Sequence, residues 1–378
     1  VNSVGIVTAR DKFVIDFDRN VLEQRIRQFR NVNFDEAILA QTYDLKKNGS
    51  WNLSEARKAI AQDKNWEDYF AKILYRPFDL QYIYHHPAVI ERDRREVMQH
   101  MQKENLAISV VRQVKASEDW RHVLICDSLV ESSYVSNKTP EITYCFPLYL
   151  YKPTEPKRKG GLTMMLFEPE ESYGNSGRKP NISKEVLEKL EKAYKKKLEA
   201  SPLSRGRGAG GEAFTPEQLL HYVYAILYSN TYRQKYAEFL KIDFPRIPFT
   251  TEYKLFVQLA ELGEQLTDLH LLKSKSLNKP VAKYKGKGDD RVEKPRYDEE
   301  RQAVFINEKN YFEGVSTEVW NYHIGGYQVM EKYLKDRKGR LMEDPAHYCK
   351  MATALQETIL VQQKIDLLFN EVEKNIIS

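Results

Sequence analysis

Arg112-Gln113 closes one predicted strand of this 378-residue chain, and Arg121-His122 opens the next. Arginine can donate two parallel hydrogen bonds to the edge of guanine, and glutamine can donate to and accept from adenine. Such side chains at strand ends are therefore equipped to read base edges. Asn137 and Lys138, in the polar run Ser136-Asn137-Lys138, and Gln328, at the start of a predicted helix, carry the same donor and acceptor types. Cations are clustered at Arg92-Asp93-Arg94-Arg95, at Lys157-Arg158-Lys159, and at Lys335, Arg337 and Arg340 within Lys332–Arg340. Between Lys273 and Arg296 nine basic residues face three acidic ones, although the whole chain carries only +5. Concentrated positive charge suits a polyphosphate, because each neutralised phosphate releases counterions. Taken singly, each run equally suits a solvated loop.

Other chemistries lack their residues. There is no GxxxxGK[ST] loop, and the glycines of Gly206–Gly211 do not sit between a strand and a helix, so neither a P-loop nor a dinucleotide fingerprint is read. HExxH and GxSxG are absent as well. His85-His86 with a distant His100 is a weak metal set, and adjacent histidines at a strand end suit a turn or packing better. Cys126, Cys145 and Cys349 form no CxxC pair and read as reduced thiols of a cytoplasmic protein. Acidic pairs such as Asp289-Asp290 and Glu299-Glu300 fall in charged loops. No catalytic residue, metal ligand or cofactor-binding residue is assigned.

The elements that must position the polar residues follow from periodicity. Val4–Val7 and Lys12–Phe17 read as short strands. Asp18 caps a helix carrying Leu22, Ile26 and Phe29, and helices follow over Phe34–Asp44 and Leu53–Asp63, the second with Ser54 as a possible cap. Tyr75–Tyr84 reads as one strand with a turn after it. Within it Arg76 and Asp79 would pair across a tight turn while Tyr75 and Phe78 enter the core. A helix covers Arg94–Met101, and strands cover Leu106–Arg112, His122–Cys126 and Ile142–Tyr151. Lys152–Arg178 reads as a linker and Ser183–Ala200 as a charged helix. Ser204–Gly211 looks like a loop. Thr215-Pro216-Glu217 has the hydroxyl, proline and acid of a strong helix start. Helices are expected to Tyr228, over Tyr232–Leu240 and Tyr253–Leu271, then over Gln328–Lys335 and Ala346–Glu373, with a hairpin between the two groups.

Composition bounds the class. With 42% hydrophobic, 12% aromatic and 30% charged residues, the chain is neither disordered nor collagenous nor a disulfide scaffold. Its apolar stretches, such as Tyr222–Tyr228, are too short to cross a bilayer. Val1–Arg10 lacks the pattern of a signal peptide, and without an initiator Met the chain reads as a piece of a longer polypeptide.

Several segments together resemble the C-terminal specificity region of type ISP restriction–modification enzymes. They are Gly5-Ile6-Val7-Thr8-Ala9-Arg10-Asp11, Tyr75–Asp79 with Arg92-Asp93-Arg94, Phe146-Pro147-Leu148-Tyr149, Asp243–Pro248 and Tyr322–Arg340, in the family's order over nearly the whole chain. The resemblance implies a target-recognition domain that follows an N6-adenine methyltransferase domain and reads an asymmetric sequence in double-stranded DNA. The parent would use S-adenosylmethionine, ATP and Mg. This chain lacks the Asn/Asp-Pro-Pro-Tyr/Phe signature and the glycine-rich AdoMet loop, so the expectation is a non-catalytic, cytoplasmic fragment without a cofactor.

The expected fold is mixed α/β (α+β), with a strand-rich N-terminal lobe and a helix-rich C-terminal lobe ending in a long helix. The expected divisions are 1–65 as a connector, 66–151 as the recognition lobe, 152–213 as linker and charged helix, and 214–378 as the C-terminal lobe. Arg92, Arg94, Arg95, Lys138, Lys335, Arg337 and Arg340 are expected on phosphates, with the Lys273–Arg296 stretch. Arg112, Gln113, Arg121, Asn137 and Gln328 are expected on bases. Two rival functions are an atypical AdoMet-dependent methyltransferase and a protein-interaction module built on the last helix.

Overall fold

The structure, a computed structural model, describes residues 1–45, 51–115, 119–138, 141–152, 177–199 and 213–377. The Lys157-Arg158-Lys159 cluster and the Ser204–Gly211 segment lie outside them. The fold is mixed α/β, with several small sheets and a long C-terminal helix.

At the N-terminus β1 (Ser3–Val4) leads into α1 (Asp11–Val14) and β2 (Ile15–Asp16). The strand expected over Lys12–Phe17 is mostly a helical turn. Only Ile15 and Asp16 of this run pair as a strand, against β4, while Phe13 and Val14 are buried from the helical turn. The turn is closed by Phe13 N–H on the Arg10 carbonyl at 2.8 Å. Asp18 caps α2 (Arg19–Arg30) through the Asn20 N–H, and α2 turns Leu22, Ile26 and Phe29 inward. Then come α3 (Glu36–Tyr43), capped by Asp35, and α4 (Leu53–Gln62). Asn52, not Ser54, caps α4; the Ser54 hydroxyl donates to Glu36 instead. From α4 the buried Arg57 guanidinium bonds the carbonyls of Phe29, Asn31 and Phe34, satisfying the C-terminal end of α2 and the turn after it.

The expected Tyr75–Tyr84 strand is a hairpin of β3 (Phe70–Arg76) and β4 (Asp79–Tyr84), turning at Pro77-Phe78. Phe78 adopts φ +61 and is buried, its carbonyl held by His347 Nε2 at 2.8 Å. Arg76 and Asp79 are backbone partners, but their charges do not meet. Arg76 pairs with Glu131 at 2.6 Å and Asp79 with Arg337 at 2.6 Å. Tertiary partners displace the local pair.

After α5 (Arg95–Met101) come β5 (Ala107–Val111), β6 (Val123–Cys126), β7 (Leu129–Val130) and β8 (Thr143–Pro147). Two four-stranded sheets result, β1-β8-β5-β6 and β2-β4-β3-β7. A separate pair joins β9 (Tyr149–Tyr151) to β10 (Arg178–Pro180). The buried run Val123–Cys126 of β6 is hydrogen-bonded by tyrosines of the next helical layer: Tyr224 OH accepts from Ile125 N–H and Tyr228 OH donates to the Val123 carbonyl, each at 3.1 Å.

Ser183 caps α6 (Lys184–Tyr194), and β11 (Lys197–Leu198) runs parallel to β12 (Ala213–Phe214). Thr215 and Gln218 form a reciprocal capping box at the start of α7 (Pro216–Tyr228). The helix expected over Tyr232–Leu240 is broken at Tyr236 into α8 (Asn230–Lys235) and α9 (Ala237–Ile242). Then α10 (Tyr253–His270) lies against α7, and Gly263 makes this possible: a Cβ there would sit 1.9 Å from the His221 carbonyl oxygen. The basic stretch folds as more than a hairpin. It supplies part of a sheet of β13 (Lys283–Lys285), β14 (Arg296–Asp298), β15 (Ala303–Phe305) and β16 (Tyr311–Glu313), in the order β13-β16-β15-β14. After α11 (Thr317–Trp320), a hairpin of β17 (His323–Ile324) and β18 (Tyr327–Gln328) runs into α12 (Val329–Lys335). Finally α13 (Pro345–Lys374) packs on α7 and α10 and spans the C-terminal half.

Candidate nucleic-acid interface

Antiparallel pairing of β5 with β6 puts Arg112-Gln113 and Arg121-His122 at one end of the same hairpin. The Val111 N–H reaches the His122 carbonyl at 3.3 Å. The tip is tied down on both sides. Val114 N–H bonds the carbonyl of Lys241 in α9 at 3.0 Å, and Lys115 N–H bonds Glu141 Oε1 at 3.3 Å.

Glu141 organises this corner. Its side chain is fully buried, and Oε2 accepts from His122 Nε2 at 3.0 Å and from the Ser136 hydroxyl. The Arg121 N–H reaches His122 Nδ1 at 3.3 Å, which makes Nδ1 the acceptor and Nε2 the donor. Burial alone would push the Glu141 carboxyl up. The bonds from His122 and Ser136 and the Lys115 N–H outweigh it and hold the carboxyl down at about 2. One carboxylate thus joins the β5–β6 hairpin to the loop that carries Asn137 and Lys138.

The β17–β18 hairpin closes onto both from about 200 residues away. Gly325 N–H donates to the Arg121 carbonyl at 2.8 Å and Gly326 N–H to the Val135 carbonyl at 3.2 Å. Tyr327 OH donates to the Ser133 carbonyl at 2.8 Å. Arg121, Asn137, Lys138 and Gln328 are therefore gathered in one place by backbone contacts. The glycines permit the approach. A Cβ on Gly325, at φ +54, would lie 2.1 Å from the Val135 carbonyl oxygen, and one on Gly326 would lie 2.4 Å from Ser136 Oγ. Gly325→Ala is expected to cost at least about 2 kcal/mol in urea unfolding, from backbone strain plus the clash. Gly339→Ala is the control: φ is +82 but nothing lies within 4 Å, so only the strain, about 1 kcal/mol, should appear.

The individual side chains differ in what they have free. Asn137 and Gln113 are exposed. Arg112 is exposed but pairs with Asp243 at 2.9 Å and lies over the Phe244 ring. Arg121 pairs with Asp119 at 3.1 Å. Lys138 is half-buried along the hairpin tip. The Gln328 amide donates to the Trp320 carbonyl at 2.8 Å.

The expected phosphate contacts fall at other corners. Arg92 is exposed, its backbone bridged to Val7. Arg94 precedes α5 in a left-handed conformation, φ +51, with a buried Nε that has no hydrogen-bond partner. Arg95 is exposed at the first turn of α5. Lys335 pairs with Glu331 one helical turn away, and Arg340 is exposed with its guanidinium 4.5 Å from the Phe17 ring. Arg337 is different. Its guanidinium is ion-paired to the buried Asp79, lies 3.5 Å from the centroid of Tyr333 and 4.6 Å from that of Phe17, and is only 13% exposed. A charge so enclosed is a packing element at the wall of a cleft of about 260 Å³, not a free phosphate hook. The basic stretch is likewise partly neutralised: Lys273 pairs with Asp127, and Lys285 lies 3.9 Å from Glu313.

Glu141, His122 and Asp243 were not among the sequence candidates. A carboxylate at a strand start has no sequence mark that distinguishes it from a solvated one, since its partners lie 5, 19 and 26 residues away. Among the described residues no group of three or more His, Cys, Asp or Glu could hold a metal, and no described helix is long and apolar enough to cross a membrane. The weak His85-His86-His100 set does not form: His85 Nε2 faces the Asp93 carbonyl, His86 Nε2 faces Asp63, and His100 is fully buried.

A family model described as the Type ISP C-terminal specificity domain matches residues 1–361. Three solved structures share the fold. A nuclease-deletion mutant of the Type ISP restriction-modification enzyme LlaGI, in complex with a DNA substrate mimic, is 19% identical with a TM-score of 0.60; the match covers 100% of this chain and 28% of that one. The DrdV–DNA complex is 18% identical with a TM-score of 0.66, covering 98% and 35%. The ATP-dependent Type ISP restriction-modification enzyme LlaBIII bound to DNA is 19% identical with a TM-score of 0.65, covering 100% and 23%. The chain thus spans about a quarter to a third of the chains it resembles. No curated protein matches it.

Proposed function

The chain belongs to the Type ISP C-terminal specificity domain family, and from that premise we propose that it recognises a specific sequence in double-stranded DNA as the target-recognition part of a longer restriction–modification enzyme. The observation that carries this reading is the convergence of Arg121, Asn137, Lys138 and Gln328 on segments fastened by Glu141 and by the Gly325-Gly326 turn. Recognition of base edges needs side chains held in fixed register, and segments locked by buried hydrogen bonds supply that.

In this reading Arg112, Gln113, Arg121, Asn137 and Gln328 face bases. Arg92, Arg94, Arg95, Lys138, Lys335, Arg340 and the exposed cations of Lys273–Arg296 face phosphates. The Arg112–Asp243 and Arg121–Asp119 pairs are exposed and contribute about 0–1 kcal/mol each. Either arginine can therefore exchange its carboxylate for a base edge at little cost. Residues 66–151 would form the recognition lobe, with 1–65 connecting to the preceding domain, 152–213 a linker with its charged helix, and 214–378 the helix-rich C-terminal lobe, which lends Gln328 to the interface.

The partner domain we propose is an N6-adenine methyltransferase in the cytoplasmic parent, to which this grip would present a target adenine for flipping. AdoMet, ATP and Mg would belong to the parent's other parts. This chain carries neither the Asn/Asp-Pro-Pro-Tyr/Phe signature nor the glycine-rich AdoMet loop, and no GxxxxGK[ST] loop.

The test is selection from a randomised duplex pool, with a salt series. Enrichment of one short asymmetric sequence containing adenine, with affinity falling steeply in salt, is the expected result. Arg112→Ala and Gln113→Ala should each relax preference at one position by about 1–3 kcal/mol. Absence of enrichment would reject the function, and unchanged selection by both variants would remove the β5 end from the interface.

A further inference from the structure

His323 and Gln328 are directly opposed in the β17–β18 hairpin, so they share one face. Their neighbours Ile324 and Tyr327, also directly opposed, share the other face and are 1% and 3% exposed. The outward pair is anchored in a matched way. His323 Nδ1 lies 2.7 Å from the Asn321 carbonyl oxygen, and Gln328 Nε2 lies 2.8 Å from the Trp320 carbonyl oxygen. A carbonyl only accepts, so each contact fixes a donor. In the neutral imidazole the proton must be on Nδ1, which leaves Nε2 as a bare acceptor. In the amide one N–H is used, which leaves Oε1 and the second N–H.

We infer, resting on the recognition role proposed above, that the His323–Gln328 pair reads the exocyclic amino group of an adenine or cytosine, with His323 Nε2 and Gln328 Oε1 sharing the one amino N–H that base pairing leaves in the major groove. In the major groove only adenine N6 and cytosine N4 present an amino donor; guanine O6 and thymine O4 present acceptors, which the bare His323 Nε2 and the Gln328 Oε1 would repel. Both side chains are locked by backbone carbonyls, so little rotamer freedom is lost on binding. The hairpin itself is pinned to the Arg121 carbonyl and to Val135, with Lys138 passing its tip.

The test combines the two side chains with the amino group itself. After the target of the wild-type chain is selected, adenines and cytosines in it are replaced one at a time by purine or 2-pyrimidinone, which lack N6 or N4. One such replacement should weaken wild-type binding by about 5- to 150-fold. The same replacement should weaken binding to His323→Ala/Gln328→Ala by no more than about twofold, because the acceptors are gone. The double variant should also lose base preference at that position while keeping its salt dependence. If no amino deletion weakens wild-type binding, the inference fails without reference to any variant. If every deletion weakens wild type and double variant equally, or the variant selects an unchanged sequence, the inference fails while the recognition role stands. A wild-type chain that selects no sequence overturns both.

Discussion

Glu141→Ala is expected to cost about 3–5 kcal/mol in unfolding free energy and to abolish sequence selection in the fraction that remains folded. The carboxylate is the common acceptor for His122, Ser136 and the Lys115 N–H. Removing it leaves three donors in a buried corner, two of them with no water to turn to. Each orphaned donor costs roughly 1–3 kcal/mol, partly recovered by relaxation. Relaxation here means that the β5–β6 tip and the Asn137-Lys138 loop move apart, which is why selection should suffer more than affinity for phosphates. Glu141→Gln is the finer probe. Wild-type Glu141 titrates near 2 when folded, below its ordinary 4.5. Its contribution is therefore complete above about pH 4.5 and is lost as pH falls towards 2, with a span of about 3 kcal/mol. The stability gap between wild type and Glu141→Gln should accordingly shrink across that window in urea unfolding series at pH 7, 4 and 2.5. A gap that stays constant with pH would show that the carboxylate's charge is not what holds the corner.

Asp79→Ala should be comparably severe, and for a reason that reassigns Arg337. Asp79 is 1% exposed and accepts from Arg337 at 2.6 Å and from Gln81 at 2.7 Å. The pair joins β4 to the end of α12 across 258 residues. Deleting one partner leaves the other charge enclosed between Phe17 and Tyr333, with an expected loss of about 3–5 kcal/mol. Replacing both, as Asp79→Leu with Arg337→Met, should recover most of that loss, because neither charge is then left unpaired. A double-mutant cycle by chemical unfolding reads this directly. The same double variant separates structure from phosphate binding. A lost phosphate contact lowers the salt slope of DNA binding by about 0.9, and no such change is expected for Arg337→Met in that background. Arg340→Ala, by contrast, removes an exposed charge and should reduce the slope while leaving stability within about 0.5 kcal/mol. If the double variant lowered the slope and Arg340→Ala did not, the two roles would be exchanged.

Where physics is local, the amino-acid sequence was sufficient. Asp18 caps α2 and the Thr215 hydroxyl caps α7, because these bonds span two or three residues and depend on nothing else. The continuous apolar runs of β5 and β6 and the long α13 were legible for a related reason: hydrophobic period and length are properties of a single segment. The family resemblance came from the same kind of short, intact segments, and the family match over residues 1–361 bears it out.

What failed were the assignments that depend on partners. Arg76 and Asp79 sit three apart and opposite each other on a hairpin, yet each found a buried carboxylate or guanidinium elsewhere. Lys12–Phe17 carries strand-like residues, but Asp11–Val14 form a helical turn and only Ile15–Asp16 find a strand partner, in β4. Cationic runs looked alike in sequence, and only the fold distinguishes an exposed Arg340 from an enclosed Arg337. The same holds for His323, an unremarkable residue beside two glycines until its Nδ1 is seen fixed on a carbonyl and its ring opposite Gln328. Sequence determined the elements, their caps and the kind of polar groups available, because those follow from bonds within a few residues. Tertiary structure decided which of those groups are neutralised, which are locked and which face outward, because charge pairing and hydrogen-bond saturation depend on residues brought together from 20 to 260 positions apart.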